Sequence, residues 1–162
     1  EIGHVFQLGT KYAESLGLQV LDRDGNQVTV TMGSYGIGVT RLMAVLAEAN
    51  HDERGLKWPE SVAPFDLHIV AAGRDEEIFR AAEEFVVGME SRGKDVLYDD
   101  RPRVSAGVKF ADAEIIGIPH IVIIGRGASK GIAEYWNRLS GEKIEVPLEN
   151  LPDLLANRKP AG

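Results

Sequence analysis

The sequence predicts an α/β chain, α+β overall, with an antiparallel first part and a second part built on a mainly parallel sheet. Three observations carry this expectation. Residues 18–32 alternate around the turn-forming stretch Asp22–Asn26, as a hairpin does. After residue 64 the rhythm changes to strand, helix, strand, helix, strand, and crossovers through helices imply parallel pairing. Between the two, NHDERGLKWPESVAP is charged, holds two prolines and a glycine, and breaks both periodicities, as a linker does.

Composition narrows the function classes. With 162 residues and 44% hydrophobic content the chain builds one good core or two modest ones. A formal charge of −7 weighs against non-specific nucleic-acid binding, which rests on cations neutralising phosphates, yet it leaves room for a local reading patch. There is no cysteine, so disulfides and thiolate metal sites are excluded. No signal-like or membrane-length apolar run occurs, and a cytoplasmic chain with no membrane partner is expected. The chain opens on Glu1 rather than Met, without cap or terminal character, so a fragment of a longer protein is expected.

In order, Lys11–Leu16 reads as a short helix stopped by Gly17. The hairpin follows as LQVLD, a turn, and QVTVTM, with Val28 and Val30 on one face and Thr29 and Thr31 on the other. Its second strand is expected to deliver a turn at Gly33, Gly36 and Gly38. Those glycines remove side chains from a short stretch, which lets backbone approach a flat ligand and permits positive φ. Arg41 falls in the first turn of the next helix, where free N–H groups and the dipole already favour an anion. Leu42, Met43, Val45, Leu46 and Ala49 have the spacing of a buried helix face.

Beyond the linker, Phe65–Ala71 is an apolar strand, and Asp75–Arg92 a helix with Ile78, Ala82, Phe85, Val86 and Met89 on one side. Asp95–Tyr98 is the second strand. Ser105 caps a helix whose Val108, Ala111, Asp112 and Ile115 share a face, ended by Gly117 and Pro119, and His120–Ile124 is the third strand. GRGASKG leads into a strand at Ile132–Asn137, RLSGEK makes a hairpin, and Lys143–Val146 is the last strand. Leu148–Arg158 is a closing helix interrupted early by Pro152.

The glycine spacing G-x-x-G-x-G is not the dinucleotide fingerprint G-x-G-x-x-G, and the Gly-Lys-Ser/Thr of a P-loop is missing. MGSYGIGVTR instead resembles motif 3 of class II aminoacyl-tRNA synthetases, in the version found in prolyl-tRNA synthetases. IGHVFQLGTKY resembles the segment that follows the inserted editing domain in bacterial-type members of that family, and WPESVAPF resembles their junction between catalytic and anticodon-binding domains. YDDRPRVSAGVKFADAEIIGIPHIVIIG is similar to the family's DDR…PGVKFAD…GIP signature, with Ala106-Gly107 where that pattern usually has Pro-Gly. The resemblance spans essentially the whole chain. It implies that residues 1–57 close an antiparallel class II catalytic domain, 58–64 link, and 65–162 form an anticodon-binding domain. That domain would be a three-layer α/β/α arrangement with a five-stranded mixed sheet and three helices.

The function implied by the resemblance is ATP-dependent attachment of proline to its tRNA through prolyl-adenylate. Arg41 would be the catalytic residue, holding the distal phosphates of ATP, and Gly36 and Gly38 a floor under adenine and ribose. His4, Phe6, Gly33 and Ser34 would line the proline pocket. The same resemblance implies Mg2+ with the ATP, no zinc, a homodimer in the full-length enzyme, proline tRNA as partner, and no DNA. Asp99, Asp100, Arg101 and Lys109 would read the anticodon: an arginine can donate twice to guanine O6 and N7, and an aspartate can accept from guanine N1 and N2. Motif 1 and the F-R-x-E context of motif 2 do not occur in the sequence, so this chain alone is expected to lack aminoacylation activity.

Two other readings stay open at this level. A non-catalytic anticodon-binding module or accessory subunit would keep the second half, with no need for His4, Phe6 or residues 36–41. An unrelated nucleotide-binding domain would use GRGASKG as its phosphate loop, but that loop leads into a strand and so lacks the anion site of a helix N-terminus.

Overall fold

A computed structural model describes residues 1–157, so the expected helix end at Arg158 lies outside the described residues. The chain divides into two compact units, Glu1–Leu46 and Ala47–Gly162.

The first unit contains β1 (Gly3–Gly9), α1 (Lys11–Leu16), β2 (Gln19–Leu21), β3 (Gln27–Thr29), β4 (Met32–Ile37) and most of α2 (Val39–Ala49). The β2–β3 hairpin turns as expected, because Asp22 Oδ1 accepts from the backbone N–H groups of Asp24 and Asn26 at 2.9 and 2.8 Å. Its second strand does not run into the glycines. It stops at Thr29, and Gly33 and Gly36 lie inside β4, which pairs antiparallel with β1. The open edge of β1 holds Met32–Ile37 extended, and none of Gly33, Gly36 and Gly38 takes a positive φ. Only Gly38 stands at a corner, where its carbonyl accepts the Leu42 N–H at 2.7 Å to open α2.

The apolar stripe of α2 is formed but not buried: Met43 is 60% exposed. In the whole first unit Ala13 alone is buried among the described residues. A two-stranded ribbon has too little surface to cover two helices, so this unit lacks a core of its own.

The second unit begins with a short hairpin, β5 (His51–Asp52) and β6 (Gly55–Leu56), followed by β7 (Leu67–Ala71), α3 (Glu76–Glu90), β8 (Val96–Asp99), α4 (Ala106–Ile116), β9 (His120–Ile124), β10 (Ile132–Asn137), β11 (Lys143–Pro147) and α5 (Leu151–Asn157). Residues 47–57, expected from sequence to close the first part, pack with this unit because the hairpin lies on α4. The sheet order is β11-β10-β9-β7-β8, with β7 parallel to both neighbours and β10 antiparallel to β9 and β11. One face buries Leu67, Ile69, Val122 and Tyr135 against Ile78, Ala82 and Met89 of α3 and Leu151 of α5. The other buries Val70, Ile121 and Trp136 against Ala113 and Phe110 of α4. The result is three layers.

Ser105 Oγ caps α4 by accepting the Val108 N–H, and Gly117 ends it at φ 76°. The buried side of α4 is not the expected one. Val108 and Ile115 are exposed, while Lys109 and Ala113 face the sheet, because a lysine with fixed oxygen acceptors can be buried where a lysine without them cannot. At the C-terminus, Leu148–Asn150 forms a single 3₁₀ turn before α5. Pro152 therefore sits in the first turn of α5, where its missing N–H costs nothing, and does not interrupt a helix.

Candidate functional site

Each unit carries one constellation. In the first, the ribbon register sets His4 opposite Gly36 and Phe6 opposite Ser34, so these four share one face. The His4 and Phe6 rings stack at 4.1 Å, and His4 Nδ1 is 2.9 Å from a carboxylate oxygen of Glu1. A Cβ added at Gly36 would meet nothing within 4 Å, so the face is open above it. Gly33 lies opposite Gln7 on the reverse face, beside the Tyr35 ring, and is not brought to the His4–Phe6 side. Arg41, in the first turn of α2, is exposed and donates from Nη1 to the Glu1 carbonyl at 3.0 Å.

In the second unit, β8 ends at Asp99 and the chain turns through Asp100 and Arg101 into α4. Arg101 donates from Nε and Nη2 to the two carboxylate oxygens of Asp99 at 2.9 and 2.7 Å, and again from Nη2 to Asp112 at 2.7 Å. Burial alone would raise the Asp99 carboxyl, but the Arg101 hydrogen bonds and the Lys109 charge outweigh it and hold the group down at about 2. Arg101, bonded first by Asp99 and then by Asp112, is held protonated even more firmly than an ordinary arginine. Asp100 is exposed at the rim.

Lys109 departs from its expected place on an RNA-facing surface. It is fully buried, and its Nζ donates to the carbonyls of Ala71 at 2.7 Å and Asp99 at 3.1 Å, with Asp99 Oδ1 at 3.5 Å. It is an internal strut that ties β7 and β8 to α4. Two hydrogen bonds and one ion pair hold its ammonium in place.

A groove of about 290 Å3 runs between α4 and the edge strand β8, lined by Leu97, Asp99, Asp100, Arg101, Asp112 and Ile115 among others. Its size is near the lower bound of ligand pockets, roughly 300–1,000 Å3. His68, from β7, reaches it while being 2% exposed, and its Nδ1 has no hydrogen-bond partner. Burial pushes the imidazole down to about 4, so it is neutral at neutral pH. Sequence reading missed His68, hidden in an apolar strand, and took Asp112 for part of a packing face. The GRGASKG loop passes through a 3₁₀ turn at Ala128–Lys130 into β10, with no helix N-terminus behind it.

Residues 66–158 match the family model described as "Anticodon binding domain", and residues 1–50 match "tRNA synthetase class II core domain (G, H, P, S and T)". The chain belongs to the anticodon-binding domain family, and the class II core model matches the stretch before it. More particularly, it is similar throughout to proline–tRNA ligases. It is 62% identical over 148 residues to the one of Leifsonia xyli subsp. xyli (strain CTCB07), covering 91% of this chain and 25% of that protein. Against the one of Arthrobacter sp. (strain FB24) the identity is 58% over 157 residues, 97% of this chain and 26% of that protein. The fold matches the crystal structure of prolyl-tRNA synthetase from Cryptosporidium parvum, complexed with L-proline and AMP, at a TM-score of 0.81 and 25% identity, over 96% of this chain and 35% of that one. The chain thus spans about a quarter of the length of the bacterial relatives.

Proposed function

We propose that this chain is part of an enzyme that joins proline to its tRNA at the expense of ATP, contributing one wall of the adenylation site and the domain that reads the anticodon. The observation that carries the reading is unbroken similarity to proline–tRNA ligases across both units, at 62% identity. A bare anticodon-binding module would not need the first unit.

In the activation step the proline carboxylate attacks the α-phosphorus of ATP, and pyrophosphate leaves. The protein's task is to align the reactants and neutralise developing charge. Arg41 holds the distal phosphates, and its present bond is to a single backbone carbonyl, so it can turn to an anion at little cost. Gly36 and Gly38 leave a floor free of side chains for the nucleoside. His4, Phe6 and Ser34 border the proline, and Gly33, on the reverse face, shapes the ribbon from behind. Magnesium accompanies the ATP. Among the described residues no group of three or more metal-binding side chains stands together. We further propose a homodimeric, cytoplasmic full-length protein, with residues 58–64 leading into the RNA-reading domain. The exposed apolar residues of the first unit, Val5, Tyr35, Ile37 and Met43 among them, support packing against further chain of a larger catalytic domain.

The test is proline-dependent ATP–pyrophosphate exchange. A full-length protein carrying this chain exchanges, its Arg41→Ala variant falls by 100-fold or more (about 3 kcal/mol of transition-state stabilisation, as for loss of one charge-stabilising donor), and the 162-residue chain alone is silent. Unchanged exchange in the Arg41 variant contradicts the assignment.

A further inference from the structure

In the first unit one residue touches two of the groups placed at the adenylation site. Glu1 reaches His4 with its side chain, a carboxylate oxygen lying 2.9 Å from Nδ1, and holds Arg41 with its main chain, the carbonyl accepting from Nη1 at 3.0 Å. The next carbonyl, that of Ile2, accepts the Gly38 N–H at 2.9 Å. Two bonds to backbone carbonyls thus fasten the residues leading into β1 to the corner that opens α2. The Glu1 carboxylate is presented to His4 from a fixed position.

Such a pair adds little stability, since its side chains are 49% and 63% exposed. Its consequence is chemical. A carboxylate only accepts, so the proton in that bond is on His4 Nδ1, and the neutral ring is left with Nε2 as a lone-pair acceptor. A histidine side chain free in water favours the opposite tautomer, with the proton on Nε2. Glu1 therefore selects the form that takes a hydrogen bond from outside. Among the described residues none bonds to Nε2.

The surroundings fit a small ring that carries N–H groups. Phe6 stacks on His4 with centroids 4.1 Å apart and planes inclined by 27°, which sets an apolar wall next to the acceptor. Gly36 stands opposite His4 across the ribbon, and a Cβ there would meet nothing within 4 Å, so the space beside the pair is open. Proline is such a molecule: its ring nitrogen is a secondary ammonium with two N–H groups, and the rest of the ring is hydrocarbon. A proton on Nε2 would face that ammonium donor to donor, whereas a lone pair bonds to it.

We propose, resting on the proline pocket assigned to His4 and Phe6, that Glu1 is a positioning residue for substrate binding: its carboxylate holds the His4 proton on Nδ1, so that Nε2 accepts an N–H from the ring nitrogen of proline. Glu1 acts through His4 and makes no contact of its own with the substrate.

The experiment follows proline-dependent ATP–pyrophosphate exchange by a full-length protein carrying this chain, with tetrahydrofuran-2-carboxylate as competing inhibitor. This analogue has an ether oxygen where proline has its ring N–H groups. Glu1→Ala raises the KM for proline about tenfold, as for loss of a hydrogen bond to a charged group, while kcat stays within about twofold, because alanine keeps the carbonyl that Arg41 uses. The inhibition constant of the ether analogue does not rise, since it has no N–H to lose. Glu1→Gln, whose amide oxygen still accepts from Nδ1, brings the proline KM back to within about threefold of the parent. An ether analogue that weakens in step with proline, a proline KM untouched by Glu1→Ala, or no recovery in Glu1→Gln overturns the proposal. His4→Ala distinguishes this from failure of the pocket itself. A raised proline KM in that variant keeps the pocket reading standing even where the Glu1 results overturn the proposal, and an unchanged one removes that reading and this inference with it.

Discussion

The guanidinium of Arg138 grips both carboxylate oxygens of Asp52 at 2.7 Å each, across 86 residues of sequence. The pair pins the β5–β6 hairpin to the end of β10, and Arg54 reaches Glu114 of α4 from the same hairpin at 2.7 Å. Trp58 adds a bond from its indole N–H to the Ile116 carbonyl and one from its backbone N–H to Gly117. The hydrogen bonds from Arg138, and secondarily those from the turn, hold the Asp52 carboxyl well below the usual range. Arg138→Leu should lower the stability of the second unit by about 2–3 kcal/mol, since a charge-assisted pair is lost while Asp52 can rehydrate. Arg138→Lys should recover less than half, because an ammonium cannot make the two-pronged bond. Denaturant unfolding followed by the fluorescence of Trp136 measures both.

Gly117 should be the least replaceable glycine of the second unit. At φ 76° a side chain is already disfavoured, and a Cβ there would lie 2.1 Å from the Leu56 carbonyl oxygen. Gly93 has the same φ with nothing within 4 Å. Gly117→Ala should therefore cost about 3 kcal/mol or more and Gly93→Ala about 1 kcal/mol, the difference being the clash. Equal midpoints for the two variants in one denaturant series would refute the close packing of the hairpin on α4.

Lys109→Met separates a structural lysine from an RNA contact. The variant keeps the volume but takes the buried donor from the carbonyls of Ala71 and Asp99 and the second cation from the Asp99 carboxylate, which Arg101 still holds, so stability should fall by about 3 kcal/mol. Where the protein remains folded, the salt dependence of RNA binding should not change. A direct phosphate contact would instead lower the slope by about 1.

Acid should destabilise the second unit in two stages. His68 is held at about 4 by burial, below its ordinary 6.5, so the unfolded chain binds its proton first. That contribution is complete above pH 6.5 and drains away as pH falls to 4. Asp99, at about 2 against an ordinary 3.8, contributes fully above 3.8 and loses its share down to 2. His68→Leu should remove up to about 3 kcal/mol of pH dependence between pH 6.5 and 4 and leave the lower stage intact. Urea midpoints of the two proteins across that range give the comparison.

The sequence was legible where local chemistry decides. The αL stop at Gly17, the Asp22 turn, the Ser105 cap and the α3 face of Ile78, Ala82 and Met89 each follow from residues within one or two turns of one another. Failures came where partners are distant. Nothing between Thr29 and Gly38 tells that β1 will claim the glycines for a ladder, and Lys109 reads as a surface cation until Ala71 and Asp99 are brought to it. Asp112 reads as one of the residues sharing a face of α4 because its partner, Arg101, stands before the helix begins. The candidate RNA site was thus found by its loop, while its floor, His68, came only with the sheet.

The central claim is that the second unit reads anticodon guanines with a locally acidic site on a chain of net charge −7. Fluorescence anisotropy of this chain against a proline-tRNA anticodon stem-loop, and against loops with either guanine changed to adenine, at two salt concentrations, tests it most directly. The account predicts at least a fivefold preference for the unaltered loop, from about 1–3 kcal/mol per lost base contact, kept at the higher salt because the discriminating bonds are not to phosphates. Equal, weak binding to all loops that disappears together as salt rises would contradict it.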